Sequence, residues 1–220
     1  MKIKAIITGA SGMVGEGVLY ECLQHDDVEE ILVVGRRSCG YTHPKLKEII
    51  LTDMYNLSSI EDQLEDYNAC FFCLGMSSVG VKEPEFYKVT YELTMHFATT
   101  LSKLNPEMTF CYISGRGTNP NGKLMWQRVK GKTENDLMKF PFKQVYNFRP
   151  GVIKPTKGLK NILPLYKWMG WLLPVINTIA PQSVVTLKQI GDAMINATTK
   201  GYEKKILEVR DIIELSPLSP

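Results

Sequence analysis

Short apolar runs alternate along this chain with longer segments whose apolar residues recur every three or four positions. We predict helices in these longer segments, which are MVGEGVLYECLQ, SSIEDQLED, PEFYKVTYELTMHFATTLSKL and KLMWQRVKGKTENDLMKF. The apolar runs are dominated by Ile, Val, Leu, Phe and Cys: IKAIITG, EILVVGR, LKEIILTD, ACFFCLG, MTFCYISG and QVYNFRPGV. Near-continuous apolar runs are typical of strands that are covered on both faces. Because strand and helix alternate, right-handed crossovers should connect the strands. The sequence therefore predicts an α/β fold, a doubly wound, mostly parallel Rossmann sheet with helices on both faces.

One domain spanning residues 1–220 is the expected organisation, because this length suits a single buried core. The regular alternation ends after Pro150, where residues 151–183 become rich in Pro, Gly, Lys and Trp. We interpret 151–183 as a small insertion over the cofactor edge of the sheet, serving as a substrate-side lid or interface segment. A further helix in VTLKQIGDAMINATTK and a short strand in KKILEV should complete the domain.

The charge distribution argues against a nucleic-acid partner. The net charge is only +3, and basic residues are interleaved with acidic ones. Residues 168–187 carry no charge and match a membrane span in length, but Pro174 and Pro181 and several polar side chains make a span costly. We therefore expect no membrane contact, and assign 168–187 to a pocket wall or a subunit interface, with a homodimer as one option.

Cysteine usage and the N-terminal sequence predict a cytoplasmic protein. The chain has five cysteines without the spacing of a disulfide framework, and its first residues lack a secretory signal pattern. Cys70 and Cys73 form a C-x-x-C pattern, but they lie in a strand-like run, where residues three apart point to opposite faces. We expect buried thiols there, with no disulfide and no metal.

A glycine-rich turn follows the first predicted strand and leads into the first predicted helix. In TGASGMVGEG the three glycines are Gly9, Gly12 and Gly15. Chemistry at such a turn depends on main-chain N–H groups that can approach a pyrophosphate without obstruction from side chains. With a strand before it and a helix after it, the turn predicts a dinucleotide-binding site.

The end of the second predicted strand indicates which dinucleotide is bound. An NAD site commonly has an acidic residue there for the ribose 2′-hydroxyl, whereas this chain has Arg36 and Arg37. A guanidinium suits a 2′-phosphate, so NADP(H) is favoured over NAD(H). Solvation alone is a more plausible role for Arg37 than for Arg36. Asp53, after the third strand, is placed either to accept a hydrogen bond from adenine or to cap the next turn.

Taken in order, several motifs resemble those of the short-chain dehydrogenase/reductase superfamily. They are TGASGMVGEG, GRR, CLG, ISGRG, the VKG that contains Lys130, and FRPGVI. The chain is most similar to the atypical members typified by the Tat-interacting-protein oxidoreductase and its bacterial relatives, and the resemblance covers essentially its whole length. It implies an NAD(P)-binding oxidoreductase.

The resemblance also implies roles for individual residues. Ser114 corresponds to the catalytic serine of the family and Lys130 to its lysine, which also binds the cofactor ribose. The other implied cofactor-binding residues, running from the pyrophosphate to the nicotinamide, are Gly9, Ser11, Gly12, Met13, Val14, Gly15, Arg36, Arg37, Asp53, Leu74, Gly75, Arg149, Pro150, Gly151 and Val152.

Two departures from the family pattern concern catalysis. Trp126 stands where the family has its catalytic tyrosine, four residues before the lysine, and an indole N–H does not give up its proton near neutral pH. Ser114 is followed by Gly115, where relatives often have paired serines. Tyr87 and Tyr91 lie on a different predicted helix. Lys130 itself remains a candidate acid or base if burial lowers its pKa.

Three functions stay open on the sequence alone. The first is an NADP-dependent oxidoreductase acting on a small carbonyl or alcohol substrate under residues 157–182, where the apolar side chains include Leu163, Tyr166, Trp168, Trp171 and Leu172. The second is a non-catalytic NADP(H)-sensing protein that signals to a partner. A nucleotide-sugar epimerase is less favoured, because only 69 residues follow Gly151 and a large substrate domain does not fit in them.

Overall fold

A seven-stranded parallel sheet forms the centre of the protein in a computed structural model that describes residues 1–156, 158–161 and 183–216. Its strands are β1 (Ile3–Thr8), β2 (Val28–Gly35), β3 (Leu46–Ile50), β4 (Ala69–Phe72), β5 (Thr109–Ile113), β6 (Gln144–Arg149) and β9 (Ile206–Glu208). A separate two-stranded sheet pairs β7 (Val152–Lys154) with β8 (Val184–Thr186) in parallel. The order in the large sheet is β3-β2-β1-β4-β5-β6-β9, so the predicted doubly wound parallel sheet is confirmed.

Helices connect the strands and cover both faces of the sheet. In the described part of the chain they are α1 (Met13–Gln24), α2 (Glu83–Tyr87), α3 (Leu93–Leu104), α4 (Met125–Leu137), α5 (Leu187–Lys200) and α6 (Val209–Leu215). A π-helical turn over Lys88–Glu92 joins α2 to α3 without a break. The four predicted helices that begin at 13, 84, 123 and 185 are present, whereas α6, β7 and β8 are not anticipated from the sequence pattern.

The predicted helix in SSIEDQLED is wrong. Two 3₁₀ turns, Leu57–Ser59 and Glu61–Gln63, stand in its place. The apolar residues that suggested a helix, Leu57, Ile60 and Leu64, are all buried against the sheet. Spacings of three and four residues bring side chains to one side of successive 3₁₀ turns as well as of an α-helix, so the pattern does not separate the two structures.

The core divides into two layers, one on each face of the sheet. One layer packs α1 and α5 and the other packs α3 and α4. Cys70 lies in the α3 side of the core, while Cys73, just beyond β4, packs against the α1 side. Burial raises the pKa of both thiols. The prediction that these two cysteines face opposite sides of the sheet is therefore confirmed.

The chain reverses its direction of travel across the sheet at β1. This strand lies between β2 and β4, and the chain builds outward from it first in one direction and then in the other. A crevice forms at the carboxyl ends of parallel strands where the order reverses in this way. The predicted lid falls mainly on residue 157 and residues 162–182, which lie outside the described residues.

Helix α4 sits directly against the loop that follows β5. A Cβ atom on Gly131 would overlap the main-chain nitrogen of Pro120 and would lie 2.7 Å from the Cα atom of Pro120. Gln127, in the first turn of α4, donates from Nε2 to the Gly117 carbonyl oxygen at 2.9 Å. The absent side chain at Gly131 thus lets the loop approach the helix turn that carries Lys130.

Replacing Gly131 with alanine should lower the free energy of unfolding. Overpacking against main-chain atoms costs about 1–3 kcal/mol, which exceeds the gain of up to about 1 kcal/mol from better helix propensity. Urea denaturation followed by circular dichroism measures the change. Gly75→Ala is the matched control, because nothing lies within 4 Å of a Cβ placed at Gly75. Equal stability of the two variants would contradict this account of the packing.

Candidate functional site

The glycine-rich turn brings the ends of β1 and β4 and the start of α1 into main-chain contact. Gly9 has φ of +73°, and a Cβ there would lie 2.7 Å from the Cys73 carbonyl carbon and the Leu74 nitrogen. A Cβ on Gly15 would overlap the Gly9 carbonyl group. The Leu74 N–H donates to Thr8 Oγ1 at 3.3 Å. No side chain larger than hydrogen fits at Gly9 or Gly15 without moving the backbone.

A cavity of about 220 Å³ opens at this turn. Its lining residues come from three strand ends and the start of α1: Gly9, Ala10, Ser11, Gly12, Val33, Gly35, Arg36, Arg37, Cys73, Leu74 and Gly75. The first N–H groups of a helix have no acceptor within the helix, and its N-terminus carries partial positive charge. Met13 and Val14, the first residues of α1, carry such groups directly after the lining residue Gly12, whose own N–H donates to the Gly9 carbonyl oxygen at 2.9 Å. This cradle fits the pyrophosphate of a dinucleotide.

A second cavity of about 270 Å³ adjoins the first and shares Arg36 and Leu74 with it. The rest of its lining is mainly apolar: Thr52, Asp53, Met54, Tyr55, Lys88, Val89 and Leu93. The Tyr55 hydroxyl donates to the Lys88 carbonyl oxygen at 3.0 Å, which closes one wall. A flat apolar slot next to the phosphate cradle suits an adenine ring. Sequence reasoning missed Tyr55, Val89 and Leu93. Val89 lies in the π turn, Leu93 starts the helix after it and Tyr55 lies in the turn at Asp53, and none of these positions has a distinct sequence pattern.

Asp53 caps a turn. Its Oδ1 accepts the Tyr55 N–H at 3.0 Å, which is the second of the two roles expected from the sequence. The Asp53 side chain also lines the apolar cavity, so an adenine contact remains compatible with its place.

Arg36 and Arg37 both follow β2 with exposed side chains. Arg36 lies where the two cavities meet, whereas Arg37 lines only the phosphate cavity. Within the described residues, neither guanidinium forms an ion pair. The junction between phosphate cradle and adenine slot is where the 2′ position of an adenosine ribose would fall, so Arg36 is better placed for a 2′-phosphate than Arg37.

Lys130 projects from α4 to the carboxyl end of β5. Its Nζ donates to the Ser114 carbonyl oxygen at 2.9 Å and to the Ile113 carbonyl oxygen at 3.3 Å. Desolvation lowers the pKa of Lys130 to about 8, although the nearby Glu134 carboxylate acts in the opposite direction. A lysine with this pKa is present in both protonation states near neutral pH.

A second hydroxyl accompanies Ser114. Ser114 Oγ and Thr118 Oγ1 are 3.0 Å apart, and Thr118 Oγ1 also donates to the Gly115 carbonyl oxygen at 2.7 Å. A hydroxyl has a single proton to donate. Because Thr118 gives its proton to Gly115, Ser114 is the donor in the shared bond, and its lone pairs remain available as acceptors. Thr118 was not anticipated, although SGRGT does place two hydroxyl residues four apart around glycines.

Trp126 and the two candidate tyrosines lie on different sides of α4. The indole of Trp126 is half-buried, and its Cη2 lies 3.5 Å from a Cβ built on Gly117, so the ring covers the loop after β5. Tyr91 donates to Asp136 Oδ2 at 2.9 Å and lies under Lys132. Positions 132 and 136 point away from Lys130 on a helix with 3.6 residues per turn. Neither Tyr91 nor its stacking partner Tyr87 supplies the missing hydroxyl beside Lys130.

Arg149 uses its side chain within the protein. Its guanidinium donates from Nε to Glu134 Oε1 at 2.9 Å and from Nη1 to Glu208 Oε1 at 3.0 Å. Glu134 is almost fully buried, so this pair neutralises an acid beneath the site. The contact with the nicotinamide expected of Arg149 and Pro150 stays a prediction, and the pairing of the Arg149 side chain leaves it to main-chain atoms. The Arg116 N–H donates to the Pro150 carbonyl at 3.0 Å, which ties the main chain after β6 to the loop after β5.

The last segment of the predicted nicotinamide end is closely packed. A Cβ on Gly151 would overlap the Ser183 carbonyl oxygen, and Val152 begins β7, which pairs with β8. Residues 151 and 152 thus pack against residues 183 and 184, at the same sheet edge as Ser114.

Glu16 is a structural residue of the site that sequence reasoning missed. It is fully buried in the first turn of α1. Its carboxylate accepts the Tyr41 hydroxyl and the main-chain N–H groups of Lys160 and Asn161, all at 2.7 Å. Burial alone would raise the pKa of Glu16, but these hydrogen bonds outweigh it and lower the pKa. The only sequence signal is an acidic residue directly after the third glycine.

Comparison with known proteins identifies the family. Residues 5–136, more than half of the chain, match the NAD dependent epimerase/dehydratase family. The chain belongs to this family. Together with its relatives and structural neighbours, the match makes it an atypical short-chain dehydrogenase/reductase of the Rossmann superfamily, as its motifs predicted.

Curated relatives are distant but cover much of the chain. A protein of Scheffersomyces stipitis named FMP52-1, mitochondrial, is 24% identical over 97% of this chain and 98% of its own length. The HTATIP2 protein of Rattus norvegicus is 25% identical over 79% of this chain and 76% of its own length.

Solved structures share the fold at low identity. A short chain dehydrogenase family protein from Francisella tularensis has a TM-score of 0.67 at 14% identity, covering 94% of this chain and 96% of its own. The Bordetella bronchiseptica enzyme WbmF, solved in complex with NAD⁺, has a TM-score of 0.67 at 11% identity, covering 97% of this chain and 77% of its own. These similarities support the Rossmann fold.

The relatives contradict the predicted cytoplasmic location. FMP52 proteins from several yeasts are mitochondrial by name. The cysteine pattern on which the prediction rested does not separate the cytosol from other reducing compartments. In the part of the chain that the structure describes, no helix is long and apolar enough to cross a membrane.

Lys130 should titrate near pH 8 in the folded protein. Competitive labelling with acetic anhydride at a series of pH values, read by mass spectrometry, should show its reactivity rising through about pH 8, because only the neutral amine reacts. Lys132 is the internal control, since hydrogen bonds to Asp136 and Tyr91 raise its pKa. If Lys130 and Lys132 gain reactivity over the same pH range, the desolvation of Lys130 is not as described.

Proposed function

We propose that the protein is an NADP(H)-dependent oxidoreductase that interconverts a small carbonyl compound and the corresponding alcohol. The observation that carries the proposal is a lysine whose pKa is lowered to about 8, placed next to Ser114 on the same sheet edge as a glycine turn shaped for a pyrophosphate. The family and the Rossmann fold support a nicotinamide cofactor.

Cofactor binding is assigned to three groups of residues. The turn at Gly9 and the first N–H groups of α1 would hold the pyrophosphate, and the slot beside Tyr55 would take the adenine. Arg36 would hold the 2′-phosphate through charge-assisted hydrogen bonds. When bound, the nicotinamide supplies or accepts the hydride.

Lys130 would perform the proton transfer that the family assigns to tyrosine. In reduction, the Lys130 ammonium donates a proton to the substrate oxygen as that oxygen gains negative charge. In oxidation, the neutral amine accepts the proton of the alcohol. Ser114, whose carbonyl oxygen accepts a hydrogen bond from Lys130 Nζ at 2.9 Å, would hold the amine in place for that transfer. Trp126 would cover the loop and exclude water.

Turnover by the wild-type protein and its loss on removing Lys130 would test this function. Purified protein is mixed with NADPH and a panel of aldehydes and ketones, and the absorbance of NADPH is followed. Lys130→Met should reduce the rate by about 10²–10⁴-fold, the usual contribution of a general acid. The rate of reduction should fall above about pH 8, as the ammonium is lost, and the rate of alcohol oxidation should rise through the same pH.

Two further results decide between catalysis and mere binding. Trp126→Tyr restores a hydroxyl one turn before Lys130 and should raise the reduction rate, while leaving NADPH affinity unchanged. If NADPH binds tightly but neither wild type nor Trp126→Tyr reduces any member of the panel, the oxidoreductase proposal fails. A NADP(H)-sensing protein then becomes the better account, and it is favoured by Trp126 and by the engagement of Lys130 with two carbonyl groups.

Arg36→Ala should change cofactor preference. Losing a charge-assisted contact to the 2′-phosphate should weaken NADPH binding by about 10-fold or more and NADH binding much less. Isothermal titration with each cofactor measures the two affinities. Arg37→Ala is the matched control and should have the smaller effect, because Arg37 lies away from the junction of the cavities. Equal weakening of NADPH and NADH in Arg36→Ala would show that this residue does not recognise the phosphate.

A further inference from the structure

Acidic residues are absent from a long part of the chain that borders the site. Residues 137–191 contain eight Lys and Arg and no Asp or Glu, whereas the rest of the chain has 18 basic and 23 acidic residues. The stretch includes β6, β7 and β8, whose ends meet the edge that carries Ser114. Four of the eight basic residues, Lys139, Lys143, Arg149 and Lys188, form ion pairs with acids outside the stretch. Each remaining cation near the site therefore has to be considered by itself.

Two arginines that flank the substrate side of the site are neutralised by carboxylates. Arg149 pairs with Glu134 and Glu208, and Arg128 pairs with Glu83. Such pairs hold elements together and leave little charge for a ligand.

Arg116 differs from these residues. Its side chain is exposed, and within the described residues its partner is a neutral hydroxyl, Ser183 Oγ, which accepts from Nη1 at 2.6 Å. The residues whose structure is not described between 162 and 182 contain no Asp or Glu, so that stretch cannot supply a carboxylate either.

The main chain fixes Arg116 beside the reacting groups. It lies two residues beyond Ser114, and its N–H donates to the Pro150 carbonyl at 3.0 Å. In the same loop, the Ser114 carbonyl oxygen accepts a hydrogen bond from Lys130 Nζ at 2.9 Å. One loop therefore presents a hydroxyl, an uncompensated guanidinium and, through Lys130, an amine of lowered pKa.

We infer that Arg116 binds a negatively charged group of the substrate, a carboxylate or a phosphate, so that the protein acts on anionic carbonyl compounds and alcohols. The inference rests on the proposed oxidoreductase function, because it names the substrate class for that site. A guanidinium offers two parallel N–H donors to a carboxylate or phosphate, and Arg116 presents this group without a competing carboxylate among the described residues.

Matched pairs of substrates test the inference by turnover. Reduction of 4-carboxybenzaldehyde is compared with that of its methyl ester, and glyceraldehyde 3-phosphate with glyceraldehyde, so that the two pairs separate carboxylate from phosphate. Wild type should prefer the charged member of at least one pair. Arg116→Ala should lower kcat/KM for that member by about 10- to 100-fold and leave the neutral member unchanged, with Arg116→Lys in between. Lys123→Ala, a neighbouring exposed cation, is the control and should change neither.

A binding measurement separates this inference from the proposed function. Benzoate, benzamide and inorganic phosphate are titrated into the protein saturated with NADPH, and nicotinamide fluorescence is followed. Benzoate or phosphate should bind wild type more tightly than Arg116→Ala, and benzamide should not distinguish them. If this pattern holds while no carbonyl compound is reduced, the anion site stands and the oxidoreductase proposal fails.

Three outcomes would overturn the inference. One is turnover without preference for the charged member of either pair. Another is anion binding that is absent or identical in wild type and Arg116→Ala. The third is sedimentation with phosphatidylserine vesicles that depends on Arg116 while benzoate and phosphate binding does not, which would assign the guanidinium to a membrane surface instead.

Discussion

The site depends on one main-chain contact, the approach of Gly9 to the residues that end β4. Because Gly9 has no side chain and adopts a positive φ, the Cys73–Leu74 peptide can pack against it. That contact sets the distance between the phosphate turn and Leu74, which the phosphate cavity and the adenine slot share. Gly15 plays the complementary part by letting α1 start against the same turn. The crevice is therefore a property of the backbone, while the side chains around it determine which ligand it takes.

At the carboxyl ends of the strands, some arginines are neutralised by carboxylates and stabilise the fold, whereas others keep a charge that a ligand could use. Arg149 and Glu134 neutralise each other beneath α4, which allows a buried acid to lie one helical turn from Lys130 and to limit the fall in its pKa. Removing either partner would leave a buried charge, whereas the exposed guanidiniums of Arg36, after β2, and Arg116, after β5, form no ion pair among the described residues. Our proposals assign Arg36 to a cofactor phosphate and Arg116 to an anionic group of the substrate.

Much of the fold and the cofactor cradle could be predicted from the sequence, because apolar runs covered on both faces and a glycine turn between strand and helix both have local signatures. Residues such as Gly9, Gly12 and Arg36 accordingly line the cavity where they were expected. The 3₁₀ turns near Leu57 were mistaken for a helix because their apolar spacing is the same. Thr118 and the adenine slot beside Tyr55 depend on hydrogen bonds and a π turn that form only after the elements pack. Nothing local in the sequence marks Glu134 and Glu208 as the partners of Arg149.

Glu16 connects three segments that are far apart in the chain. Its single carboxylate accepts hydrogen bonds from Tyr41, in the loop that follows Arg36 and Arg37, and from the main chain at Lys160 and Asn161. A substitution at position 16 alone would leave three partly buried donors without this acceptor at once. Homologues that lack an acid here should therefore also differ in length or sequence at both loops. Inheritance of the two loops as a unit is the evolutionary consequence of sharing one buried carboxylate.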